Sequence, residues 1–149
     1  MAAKPETTFI GSVNKLLPIK RLKMCDKARG SYPREHWLHY EKMNNPYSSG
    51  TADGWYSGQQ DIWIEYKFLP RVPQRGTVKP MELLSALQAD WLRERHKEGR
   101  NVAVILGCPT GGVVFKNLQW DQEVPAQKFT SMILSRPALA EWIMSEITR

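Results

Sequence analysis

The sequence predicts a single α/β domain, a mixed central β-sheet flanked by helices, and three stretches carry that prediction. In DIWIEYKF, Ile62, Ile64, Tyr66 and Phe68 fall on one face and Asp61, Trp63, Glu65 and Lys67 on the other, the period of two that marks a strand. Residues 85–98, SALQADWLRERHKE, read as a helix between the N-cap Ser85 and the C-terminal Gly99. The run NVAVILG that begins at Asn101 is almost wholly apolar, as a strand buried on both faces must be. Strand, helix and strand form a crossover unit, so the run should lie parallel to residues 62–68. With 149 residues, 42% of them hydrophobic and six of them Trp, the chain is long enough for one real core.

Taken in order, residues 5–17 predict a first helix: Pro5 suits its opening turn, Phe9, Val13, Leu16 and Leu17 recur at helical spacing, and Pro18 ends it. Residues 18–34 predict an extended or partly helical basic insert. Lys15, Lys20, Arg21, Lys23, Lys27, Arg29 and Arg34 share twenty residues with one acid, Asp26. Lys20, Arg21, Lys23, Lys27 and Arg29 are candidate phosphate contacts, and the plain alternative is a solvated loop. Residues 35–43 predict a strand with neither face clearly apolar; its His36 and His39 fit structural places better than a general base. Asn44–Gly50 is a loop by composition and leads directly toward Asp53. Residues 69–80 hold three prolines and a second set of candidate phosphate contacts, Arg71, Arg75 and Lys79.

In the helix at 85–98, Leu84, Leu87, Trp91 and Leu92 give the apolar stripe. Gln88 falls three residues after Ser85, where it would close a capping box. Cys108–Gly112 predicts a turn and Val113–Lys116 a further strand. Residues 117–127 read as loop, and 128–134 read equally as strand or helix. A last helix runs from Ser135–Pro137 to about Thr148 on the apolar positions Leu139, Trp142, Ile143 and Met144.

The hairpin places the chemistry. If the turn Ser57–Asp61 pairs its two ends, Asp53 stands directly opposite Glu65. Cross-strand partners have Cβ atoms roughly 4.5–5.5 Å apart. Two carboxylates that close repel, so one is protonated or a cation lies between them. Mg²⁺ suits such a pair, since it binds through one or two carboxylates plus water and phosphate. Lys67 shares the face of Glu65, so Asp, Glu and Lys converge on one spot.

The pattern Asp53, eleven residues, Glu65-Tyr66-Lys67 resembles the motif of the PD-(D/E)xK nuclease superfamily. A Gly shortly before the Asp and a hydrophobic strand carrying ExK are similar to the VRR-NUC branch and to phage Holliday-junction-resolvase-like endonucleases. Ala52 departs from the pattern, standing where the family usually has proline. The resemblance covers residues 5–116, with 128–149 as a C-terminal helical extension, and implies a restriction-endonuclease-like core. It implies Asp53, Glu65 and the backbone carbonyl of Tyr66 as ligands of Mg²⁺ or Mn²⁺, with Lys67 orienting the nucleophile or stabilising negative charge. LSALQADWL is similar to the family's next helix, where a glutamine faces the site; Gln88 would then order the lysine or a water at the metal. A glutamate on the family's first helix often points at the metal, which makes Glu6 a candidate; the alternative is an acid favoured by the helix dipole. The implied activity is metal-dependent DNA endonuclease cleavage, extending to branched DNA in a phage, and a two-fold branched substrate favours a homodimer.

Composition narrows the field. A net charge of +6 and pI near 9.4 suit a polyanionic partner. No apolar run reaches the ~18–20 residues of a membrane span, and the N-terminus has no apolar signal-peptide core. Cys25 and Cys108 have no metal-ligand spacing and read as reduced thiols, so the expected location is cytoplasmic, in the host cell for a phage protein. No small-molecule cofactor is expected. Two other readings are a non-catalytic nucleic-acid-binding module on the same fold and a protein-interaction or inhibitor subunit anchored through surface Trp residues.

Overall fold

The computed structural model describes residues 4–43 and 50–148, so Asn44–Ser49, placed beside the site by sequence, lies outside the described residues. The order is α1 (Pro5–Asn14), α2 (Asp26–Ser31), β1 (His39–Lys42), β2 (Gly54–Ser57), β3 (Asp61–Phe68), β4 (Thr77–Val78), α3 (Pro80–Leu83), α4 (Ala86–Lys97), β5 (Val102–Cys108), β6 (Gly111–Lys116), β7 (Val124–Pro125), α5 (Ala126–Met132) and α6 (Arg136–Ile147). Five strands form one sheet in the order β1-β2-β3-β5-β6. Its pairs are antiparallel except β3 with β5, which run parallel as the crossover through α4 requires. The class expected from sequence, a mixed sheet with helices on both sides, is the class observed.

Each face of the sheet has its own core. On one, α1 and α6 bury Phe9, Val13, Leu139 and Ile143 against Tyr56, Ile62, Ile64 and Tyr66. Gly107 allows that approach, since a Cβ there would stand 2.6 Å from the Phe9 ring. On the other face, Ala89 and Leu92 of α4, Phe129 of α5 and Trp120 cover Val102, Val104, Leu106 and Phe115. The C-terminal helix is no appendage: α6 shares its core with Phe9, and its buried Glu146 meets Lys116 of β6 at 2.7 Å.

Several boundaries differ from expectation. α1 ends at Asn14 instead of 17, and the chain turns so that buried Ile19 bridges Leu38. The basic insert is folded, with a 3₁₀ turn at Lys23–Cys25 ahead of α2. Arg29 is the reason, and it corrects an expectation. Its guanidinium donates to the carbonyls of Ile19 and Leu22 and pairs with Asp26, and its side chain is only 13% exposed. It binds the insert together and is not presented to a phosphate. A 3₁₀ turn at Arg34–His36 shortens β1. Of residues 128–134, ambiguous by pattern, those to Met132 are helix, in an element that starts at Ala126 within the stretch read as loop. The two-residue strands β4 and β7 pair with each other within stretches read as loop; strands that short leave no periodicity to detect.

Candidate active site

The hairpin has the register its turn implied. Ser57 opposes Asp61 and Gly54 opposes Ile64, which sets Asp53, one residue beyond the end of β2, across from Glu65. Asp53 finishes the ladder with its side chain: Oδ2 accepts the Tyr66 amide at 2.8 Å, while its own carbonyl accepts from Met43 at 2.7 Å. In an antiparallel pair the N–H and C=O of one residue point to the same side. The Tyr66 carbonyl is therefore directed to the side from which Asp53 approaches, as the expected ligand role requires.

Glu65 lies on the opposite face from Tyr66, only 1% exposed under the first turn of α4. Gln88 reaches it there, Nε2 donating to Glu65 Oε1 at 3.2 Å. The same side chain closes the capping box, its Oε1 accepting from the Ser85 amide at 2.9 Å. One end of the amide thus caps the helix and the other meets the Glu65 carboxylate, where the expected partner was the lysine or a water at the metal. Gly50, at φ 86°, brings the segment before Asp53 flush against the Leu87 carbonyl, so strand and helix are held together where the acids meet.

The other oxygen of Glu65, Oε2, is buried with no donor facing it, and only as a protonated acid does the carboxyl gain a hydrogen bond, to Asp53. Burial first, and then Asp53 as a like charge and as an acceptor that favours the protonated acid, push the Glu65 carboxyl from its ordinary 4.5 up to about 10, against the pull of Lys67. The carboxyl must keep a proton, shared toward Asp53, or exchange it for a cation. The Glu65 carboxylate, the Asp53 carboxylate and the Tyr66 carbonyl on the Asp53 side are oxygen donors of the kind Mg²⁺ or Mn²⁺ takes. Among the described residues no three His, Cys, Asp or Glu side chains cluster closely enough to hold a metal by themselves, so Glu6 does not complete a ligand trio.

Glu6 is nonetheless near. It lines a cleft of about 220 Å³ with Asp53, Asn14, Met24, Tyr40 and Lys42. Burial first and Asp53 second raise its pKa, while Lys67 and Lys4 lower it, which places all of these charges in one field. Beneath the cleft, Tyr56 donates to Asn14 Oδ1 at 2.7 Å and meets the Tyr66 hydroxyl at 2.7 Å. Sequence reasoning missed Asn14, Tyr40 and Lys42. The signal was present in β1, where Tyr40 opposes Tyr56 and Lys42 opposes Gly54, but the mixed composition of the strand hid which face was inward.

Among the expected phosphate contacts, Lys20, Arg21, Lys23, Lys27, Arg71 and Arg75 are exposed, and Met24 brings the insert to the cleft mouth. Lys79 lies between Glu82 at 3.8 Å and Glu123 at 3.7 Å. His39 is exposed beside Glu41 and is separate from the acids. No helix among the described residues is long and apolar enough to cross a membrane.

No family model matches the chain, and no curated protein sequence does. Among solved structures it is similar to Hjc, a Holliday junction resolvase from Archaeoglobus fulgidus, an archaeal hyperthermophile. The TM-score is 0.46 and the identity 15%, over 71% of this chain and 88% of that one. A likeness of this degree assigns no role to any residue here.

Proposed function

We propose that this protein hydrolyses phosphodiester bonds in DNA with the help of a divalent cation. The observation that carries the proposal is the buried Glu65 carboxylate beside Asp53, with one oxygen fixed by Gln88 and no donor facing the other. Asp53, Glu65 and the Tyr66 carbonyl would hold Mg²⁺ or Mn²⁺. When bound, the cation would supply charge neutralisation at the scissile phosphate and acidify water.

The chain's own groups do the rest. Gln88 fixes the aim of Glu65, and the Tyr66 amide fixes that of Asp53. Lys67 orients the attacking water or stabilises charge that develops on the phosphate. Glu6, on the cleft wall, would accept a proton, its carboxyl held above its ordinary value by burial and by Asp53. Lys20, Arg21, Lys23 and Lys27 of the insert and Arg71 and Arg75 of the loop after β3 track the backbone without reading its sequence. Branched DNA is the substrate, and two copies of the chain act on its two-fold junction.

The test is incubation with linear, nicked and four-way DNA in Mg²⁺, Mn²⁺ or EDTA. Cleavage with either cation, absent in EDTA and strongest on the four-way substrate, is the expected result. Cleavage undiminished by EDTA, or by Asp53→Ala, would overturn the mechanism. Equal rates on all three DNAs would remove the branched-substrate part alone.

A further inference from the structure

The face of the sheet that carries Glu65 also carries a row of aromatic rings which the hydrolytic chemistry does not use. Trp55 and Trp63 oppose each other across β2 and β3, their ring centroids 5.9 Å apart. Trp91, one turn into α4, continues the row 5.5 Å from Trp63. All three rings are half-buried. Arg95 lies over the Trp91 ring at 5.6 Å, and it lines a surface cleft of about 320 Å³ with Trp63, Trp91, Thr51 and the exposed Arg100. The helices of this face contact β5 and β6, so the row leads out from under α4 toward the β1 edge.

Such a row has an ordinary use, since partly buried Trp can simply rim a core. Three features exceed it. The rings are contiguous, two guanidinium groups stand at one end, and the middle ring, Trp63, is two residues from Glu65 on the same face of the same strand. That separation is roughly 7 Å. Planar rings with flanking cations match an unpaired nucleotide strand, whose bases expose π-faces and whose backbone is anionic. A duplex hides its bases from such a surface.

We infer that the Trp55–Trp63–Trp91 row with Arg95 and Arg100 is a binding track for unpaired DNA, guiding a single strand to or from the acid pair. This deepens the nuclease reading and rests on it in taking DNA as the substrate: the preferred DNA would carry an unpaired segment next to the cut.

Binding is measured in EDTA, so no cleavage is needed. The probes are a labelled oligo(dT) of about twenty nucleotides, enough to span a track of this kind, and a blunt duplex of equal length. The intact protein should bind oligo(dT) more tightly than the duplex and lose Trp fluorescence on binding. Trp91→Ala should weaken oligo(dT) binding about tenfold, as loss of one stacking platform does, and Trp91→Phe should restore most of it. Replacing Arg95 and Arg100 by Ser should lower affinity and reduce the salt slope by up to about two. A folded Trp91→Ala protein that binds oligo(dT) normally overturns the inference, as does a duplex bound equally well. Should Trp91→Ala not fold, the arginine pair decides, and an unchanged affinity and salt slope overturn it. Oligo(dT) binding that depends on the track, without cleavage of any DNA, sinks the nuclease reading alone. Cleavage with a dispensable track sinks this inference alone.

Discussion

The most direct physical test concerns the proton on Glu65 when no metal is bound. The carboxyl is raised from 4.5 to about 10 by burial and by Asp53. Between those values the native protein holds a proton that the unfolded chain has released. Stability is therefore fully present below pH 4.5 and is lost as pH rises toward 10. The slope approaches about 1.4 kcal/mol per pH unit for one group. From pH 5.5 to 8.5 that is a ceiling of about 4 kcal/mol, which relaxation of the pair reduces. For a domain of this size each kcal/mol is worth about 2–4 °C, so the expected loss is up to roughly 8–16 °C. Glu65→Gln keeps the side chain's volume and its polar end but cannot ionise. Melting of both proteins in EDTA across that pH range should show the wild type falling more steeply than the variant. Mn²⁺ or Mg²⁺ added at pH 8.5 should raise the wild type and leave the variant nearly unmoved. Parallel curves for the two proteins, with no divalent effect on their difference, would refute a protonated, cation-seeking Glu65.

Asp53→Asn should keep the acceptor for the Tyr66 amide and so preserve the fold, whereas Asp53→Ala should also lose about 1–3 kcal/mol in a denaturant melt. Both should lower cleavage by at least about 10²-fold, as should Lys67→Ala in a protein with unaltered melting. Ser85→Ala removes only the hydroxyl cap of the helix, at about 1 kcal/mol, while Gln88→Ala keeps that cap and removes the reciprocal bond to the Ser85 amide and the Glu65 contact. Equal activity in those two variants would show that Gln88 does nothing beyond capping. Neutralising Lys20, Lys23 and Lys27 should reduce the salt slope of DNA binding by up to about three with little effect on melting. Arg29→Ala should instead destabilise the fold through the carbonyls of Ile19 and Leu22.

The parts of the fold legible in the sequence were those with long, regular patterns. The alternation at 61–68, the capped helix at 86–97 and the apolar run after Asn101 settled strand direction and crossover, and the turn Ser57–Asp61 set the register that brings Asp53 across from Glu65. The wall of the cleft was not legible. Asn14 reads as one polar position near a helix end, and its purpose becomes visible only when Tyr56 and Tyr66 arrive from strands far along the chain. Arg29 misled for a related reason: a basic run predicts charge but not which member turns inward to satisfy carbonyls. Gln88 serves both the helix cap and Glu65 because an amide has an acceptor end and a donor end, which its position in the sequence does not show.

The buried chain of Asn14, Tyr56 and Tyr66 has a consequence for how the molecule tolerates change at its N-terminus. Tyr66 stands between the acid and the amine of the ExK pair, so whatever anchors its ring sets the pitch of both neighbours. The anchor is the last residue of α1. Trimming the opening helix would thus not be a cosmetic shortening: it would unmoor a hydroxyl keel, and the acids would lose their common aim while remaining intact in composition.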